Sequence, residues 1–365
     1  MKKRTMRSTR VLLVAALAFA ASCGSNAKTE SAPKPAEATT PATGAGTPAT
    51  DAPDTQATTA PEATNGPDAT TAGASEPGAA ITLAANPWTG SAVNAWVAKI
   101  VLEANLGTKT TVLDIDENAT WPGLAAGDID AALEVWPSGH AADYDTYITG
   151  EKSIVDIGLL GPDAKIGWYI PTGMLADHPE LATWEGFKDP ATAKLFATTE
   201  SGDLGQFLMG DPSYVSYDEQ IIANLKLPLK FLVAGSEAAL ISAIQTADTD
   251  GTPLLLQFWK PHWLQLEVDL TEVTLPEVTA ECAASAAAGD GKYACDYPVD
   301  ALYKVASAKL ATKNPAAFKF LSTMKLTTEQ QSEIAGLVDR DGVDVKDAAQ
   351  QWVDDNQAIV QGWLK

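Results

Sequence analysis

Leu254-Leu255-Leu256-Gln257-Phe258-Trp259-Lys260-Pro261-His262-Trp263 constrains the fold more than any other stretch of the chain. An apolar run this short reads as a buried strand. Pro261 must end it, because proline has no N–H to give to a ladder. Two tryptophans and one of the three histidines then fall on the exit. Strand ends that bring Trp and His to a rim are where α/β proteins hold ligands. The same tryptophans could equally cap a core. Ala131-Ala132-Leu133-Glu134-Val135-Trp136-Pro137-Ser138-Gly139-His140 repeats the pattern far away in the chain. Two such exits suggest two walls of one site.

Strands and helices alternate around these exits. Ile81–Ala85, Thr110–Ile115 and Ile129–Val135 read as strands, separated by helices at about 92–104 and 121–127. In the first helix Val93, Trp96, Val97, Ile100 and Val101 recur at helical spacing, which assigns Trp96 to the core. The alternation predicts parallel βαβ units and an α/β fold. Further on, Lys165–Pro171 reads as a strand crossing between lobes, Gly202–Tyr217 as a loop, and Phe231–Ala234 as a strand. Ser236 caps a helix that feeds the opening stretch. A last helix is expected over 345–364, with Ala348, Trp352, Ile359 and Trp363 facing inward.

What precedes residue 80 has a different character. Five basic residues (Lys2, Lys3, Arg4, Arg7, Arg10) lead into the apolar run Val11–Ala20, which is too short to span a bilayer and reads as a signal peptide over 1–22. Ala20-Ala21-Ser22-Cys23-Gly24 resembles a bacterial lipobox, although the family usually has Leu where Ala20 stands, so Cys23 is the expected lipidation site. The alternative is an ordinary signal peptide. Residues 23–79 are Ala, Thr, Pro, Ser and Gly with few large apolar side chains. They cannot bury enough surface to offset chain entropy and are expected to form a disordered tether, reaching on the order of 40 Å.

The chain has 365 residues and a net charge of −22. Removing the five leading basic residues leaves 20 basic against 47 acidic residues, near −27. Such a surface repels nucleic acid but not a cationic solute. Gly-x-Ser-x-Gly, phosphate-loop and His-Glu-x-x-His patterns are absent. Asp339-Arg340-Asp341-Gly342 and Asp248-Thr249-Asp250-Gly251 lack the further ligands of a calcium loop and read as turns. No cofactor and no metal are expected. Cys282 and Cys295 are expected to close a disulfide, which would constrain the unfolded chain by roughly 3 kcal/mol.

Several motifs, in shared order, resemble the substrate-binding proteins of ABC uptake systems for glycine betaine and related quaternary amines. They are the run Leu124–Trp136, Phe187-Lys188-Asp189-Pro190, Gly235-Ser236-Glu237-Ala238-Ala239, Phe258–Trp263 and Asn314-Pro315-Ala316-Ala317. The resemblance spans about Ile81 to Lys365. It implies a two-lobed periplasmic-binding-protein-like fold with a hinge and an interlobe ligand cleft. Residues 80–170 plus 275–365 would form lobe 1, and residues 171–274 lobe 2. It also implies an aromatic cage for a quaternary ammonium group, which has no N–H to donate and is held by π-faces. Trp136 and Trp259 take the matching positions. Asp211-Pro212-Ser213-Tyr214 stands where some members have Asn-Pro-Gly-Trp, making Tyr214 the third candidate and Tyr217 its alternate. A ligand carboxylate would find donors in His262 and in backbone N–H groups around Trp88, Thr89 and Gly90. For His262 a purely structural hydrogen bond is the alternative. His140 ranks lower, and His178 reads as solvated. The implied protein is a monomeric, lipid-anchored receptor on the outer face of the membrane, not an enzyme. Glycine betaine leads as ligand, ahead of proline betaine, carnitine or choline, and an ABC permease is the partner. Because Trp platforms also stack sugars, an extracellular carbohydrate-active protein remains the alternative, with an adhesive lipoprotein third.

Overall fold

The computed structural model describes residues 78–365. The expected signal peptide, Cys23 and nearly all of the expected tether lie outside the described residues. Nine strands occur among those described: β1 (Ile81–Ala85), β2 (Thr110–Asp114), β3 (Ala131–Val135), β4 (Ile154–Pro171), β5 (Gly205–Met209), β6 (Leu229–Val233), β7 (Leu256–Lys260), β8 (Leu270–Val273) and β9 (Asp300–Ser307). They follow the order β2-β1-β3-β9-β4-β7-β5-β6, with β8 added on β4.

β4 joins two halves of this sheet. Its residues up to Ala164 pair antiparallel with β9. From Lys165 onward it pairs antiparallel with β7 and β8. The register with β9 shifts between Asp156, Leu159 and Asp163, where Gly158 and Gly161 have φ of 94° and 141°. At Gly161 a Cβ would stand 2.0 Å from the Leu326 carbonyl oxygen. Only glycine permits that approach with that φ.

Each half has its own core. In the first, Leu83, Val97 and Leu102 pack with Phe320 and Trp352 on one face, and Trp121, Leu124 and Tyr303 gather on the other. In the second, Trp168 lies 4.5 Å from Phe207 between ring centroids in a cluster with Phe187 and Ile221. Tyr293, Cys295 and Tyr297, which fall within the range expected for lobe 1, are buried in this second cluster. Cys282 and Cys295 form a disulfide there.

The fold is α/β and two-lobed, as expected, but several elements differ. β1 with β2, and β1 with β3, are parallel, whereas β9 and β7 run antiparallel to their neighbours on β3 and β4. β4 is 18 residues long rather than seven, because its glycines disguise its first half. Gly202–Tyr217 is not all loop. Within it β5 inserts Phe207 and Met209 into the interior and ladders in parallel on β6. The expected last helix is two, Val345–Asp355 and Gln357–Trp363, broken at Asn356. Ala348, Trp352 and Trp363 are buried, and Ile359 is half-buried against them.

Candidate ligand-binding site

Trp88, Trp136, Tyr214 and Trp259 line one cleft of about 440 Å³, mouth included, together with Glu117, Ile166 and Gln257. The elements deliver them from both halves of the sheet. Trp88 ends the turn after β1, just before the helix Thr89–Leu106. That turn is held by the Asn86 side chain, which donates to the Thr120 hydroxyl at 2.8 Å. Trp136 follows β3. Trp259 and Gln257 alternate onto the same face of β7, and Tyr214 follows β5. Tyr214 stands edge-on to both neighbours, 5.9 Å from Trp88 and 5.8 Å from Trp259 between centroids. Its hydroxyl donates to the Pro87 carbonyl at 3.0 Å, and burial keeps that phenol neutral by raising its pKa.

A carboxylate stands behind the indole edges. Glu134 is buried, and its Oε1 accepts from Trp88 Nε1 at 2.7 Å and Trp136 Nε1 at 3.1 Å. Its Oε2 accepts from Asn94 at 2.7 Å and Gln331 at 2.5 Å. Burial pushes the carboxyl up to about 7, against the pull of Trp88, Trp136 and Gln331, with the Glu237 charge adding to the rise. Glu134 thereby fixes the orientation of two of the indoles that line the cleft. The motifs alone do not single it out. The signal they carry is a lone acid in an apolar strand, two residues before Trp136 and so on the same face.

Two of the donors expected for a ligand carboxylate, Thr89 and His262, are engaged within the protein. The Thr89 N–H donates to Glu237 Oε2 at 2.7 Å, and its hydroxyl to Asp339 Oδ1 at 2.7 Å. His262 Nδ1 accepts from the Leu264 N–H at 3.2 Å, which assigns the ring proton to Nε2, 3.3 Å from Glu237 Oε1. Trp263 Nε1 donates to Asp339 Oδ2 at 2.8 Å. Glu237, His262 and Asp339 converge closely enough to suggest a metal site. A ring whose Nε2 carries the proton has no lone pair there to offer a metal, so the group is a hydrogen-bonded cluster.

The remaining candidates lie around the cleft. Tyr217 does not line it; it stacks on Tyr293 at 4.2 Å and donates to the Ser138 carbonyl at 3.2 Å. His140 is buried, with Nδ1 2.9 Å from Asp143 and Nε2 2.7 Å from Glu117. Burial alone would lower its pKa, but the hydrogen bonds to Asp143 and Glu117 prevail and push it up to about 9. The resulting imidazolium holds Glu117, whose other oxygen accepts from the Val215 N–H at 2.9 Å. His178 is half-exposed beside Glu180.

A two-lobed α/β body with an aromatic-walled cleft defines a solute-binding protein of the periplasmic-binding class. Residues 79–355 match the family described as the substrate binding domain of ABC-type glycine betaine transport systems, and the chain belongs to that family. It is the extracytoplasmic, substrate-binding component of an ABC-type betaine transport system and not an enzyme. Among curated relatives, the trimethylamine N-oxide-binding protein of Pelagibacter ubique is 28% identical over 289 residues, 76% of this chain and 88% of its own. A solved lactococcal OpuAC in its closed form with glycine betaine shares the fold at a TM-score of 0.62 and 20% identity, covering 78% of this chain and 99% of that one. An ABC-transporter choline binding protein in complex with choline does so at 0.62 and 21%, covering 78% and 91%. Among the described residues no helix is long and apolar enough to cross a membrane.

Proposed function

We propose that this protein captures a small trimethylammonium solute between Trp88, Trp136, Tyr214 and Trp259 and delivers it to an ABC permease. The observation that carries this reading is the convergence of four aromatic side chains from both halves of the sheet on one cleft. Each desolvated π-face attracts a quaternary ammonium group by about 0.5–2 kcal/mol. The charge of Glu134 behind two of the walls adds to that attraction. Glycine betaine, carnitine and choline carry this head group, and proline betaine presents a ring quaternary ammonium with two N-methyl groups. Trimethylamine N-oxide, named for the curated relative, joins them.

In this reading the lobes meet where β4 passes from β9 to β7, at Ala164–Lys165, and again before β9. The segment carrying Tyr293 and Cys295 belongs with the second lobe, whose core it enters. Ligand closes one lobe on the other, as hinged binding proteins do. Cys23 carries the lipid that tethers this body to the outer face of the membrane. Isothermal titration of the body (residues 80–365) against these solutes and against neutral sugars tests the reading. Micromolar or tighter binding of a trimethylammonium compound is expected, and binding of sugars alone would overturn it.

A further inference from the structure

Two observations bear on the ligand's other end. First, two of the donors that would receive a carboxylate, the Thr89 N–H and the His262 ring, already face Glu237. The cleft is lined by Glu117 and, among the described residues, by no Lys or Arg. A ligand carboxylate there would be desolvated and would compete with Glu237 for both donors, which is unfavourable. Second, Gln257 lines the same cleft and is only 2% exposed, yet its Oε1 has no hydrogen-bond partner among the described residues. A buried amide left unpaired is rare and is relieved by any ligand atom that completes it.

We propose that Gln257 determines specificity by hydrogen-bonding the single oxygen of a carboxylate-free trimethylammonium ligand, a choline-type hydroxyl or an N-oxide. This rests on the cage reading above and narrows it away from glycine betaine. The amide suits either oxygen. Its carbonyl accepts from a hydroxyl, and, turned over, its NH₂ donates to an N-oxide. A site built around such a bond rejects the analogue that lacks the partner group.

The test is calorimetry with choline, trimethylamine N-oxide, glycine betaine and tetramethylammonium. Tetramethylammonium presents the cationic head without any oxygen. The wild-type protein should bind choline or the N-oxide at least about ten-fold more tightly than glycine betaine, as expected when one charged-group mismatch is removed. Gln257→Leu should weaken the preferred ligand about ten-fold more than it weakens tetramethylammonium. Tighter wild-type binding of glycine betaine would overturn the proposal, and that comparison needs no variant to fold. An unchanged ratio of preferred ligand to tetramethylammonium in Gln257→Leu would overturn it too, while leaving the cage intact. Failure of every trimethylammonium compound to bind would remove the cage and this proposal together.

Discussion

Ligand affinity should fall as the solution is acidified through neutrality, and Glu134 should be the reason. Its carboxyl is pushed up to about 7 by burial. A cation held against Trp88 and Trp136 lies about one indole width, roughly 6–7 Å, from that carboxylate. At an effective dielectric near 20 the attraction is about 2.4 kcal/mol, which lowers the carboxyl's pKa when the cation is bound. A carboxyl with a raised pKa in the free protein is charged above 7 and protonated below it. The attraction is therefore nearly complete at pH 8 and about half lost at pH 6, an affinity change of about eight-fold. Binding at pH 7 should release about half a proton, measurable by titration calorimetry in buffers of different ionisation enthalpy. In Glu134→Gln the profile should flatten, with up to about fifty-fold weaker binding at pH 8. The variant has a route to folding: turning over Asn94, whose Oδ1 has no partner, supplies an acceptor for the new amide. A flat wild-type profile without proton release would refute this argument. So would a Glu134→Gln protein that keeps the wild-type pH dependence.

Gly161→Ala should destabilise the body by more than about 2 kcal/mol, since its Cβ would collide with the Leu326 carbonyl at a φ that side chains avoid; a thermal melt reads the loss. His140→Ala should cost about 3 kcal/mol at pH 6 by leaving Glu117 and Asp143 without their buried partner. Because the folded pKa of His140, about 9, lies above its unfolded value, that contribution is complete below about pH 6.5 and fades as pH rises through 9. Denaturant titrations of wild type and variant should accordingly converge in alkali. Cys23→Ala should release the full-length protein from membranes or leave it uncleaved, as fractionation and mass analysis would show; unchanged membrane retention would refute the lipid anchor.

Much of this arrangement is legible in the amino-acid sequence. Local signals suffice where one element decides the outcome: β1, the Ser236 cap, which accepts from the Ala239 N–H at 3.2 Å, and the proline-stopped end of β7. With the help of the family resemblance they also point to Trp136, Trp259 and Tyr214, which do share one cleft. What escapes depends on partners distant in sequence. β5 carries only a three-residue apolar run, Phe207-Leu208-Met209, among Gly and Asp, and it becomes a strand only by pairing with β6 and β7. β9 follows the helix Ala280–Ala288 yet forms no βαβ unit, because it returns antiparallel between β3 and β4. The resemblance points to the backbone of Trp88; the turn instead aims its indole into the cleft, where Glu134 fixes it. It points to Thr89 and His262 as donors for a ligand carboxylate, but Glu237, itself within a family motif, meets both first. No pattern in a single chain shows that two donors will be matched by an acid from a different segment.

The central claim is that aromatic faces hold the cation, and Trp259 tests it most directly. Its indole makes no side-chain hydrogen bond among the described residues, unlike Trp88 and Trp136, which anchor Glu134. Removing it deletes a π-face without leaving a buried carboxylate unpaired. Titration calorimetry of Trp259→Ala with tetramethylammonium and with the tightest trimethylammonium ligand should show about ten-fold or more weaker binding for both. Trp136→Ala should lose at least as much. Wild-type affinity in both variants, with folding confirmed by circular dichroism, would contradict the cage and the function built on it.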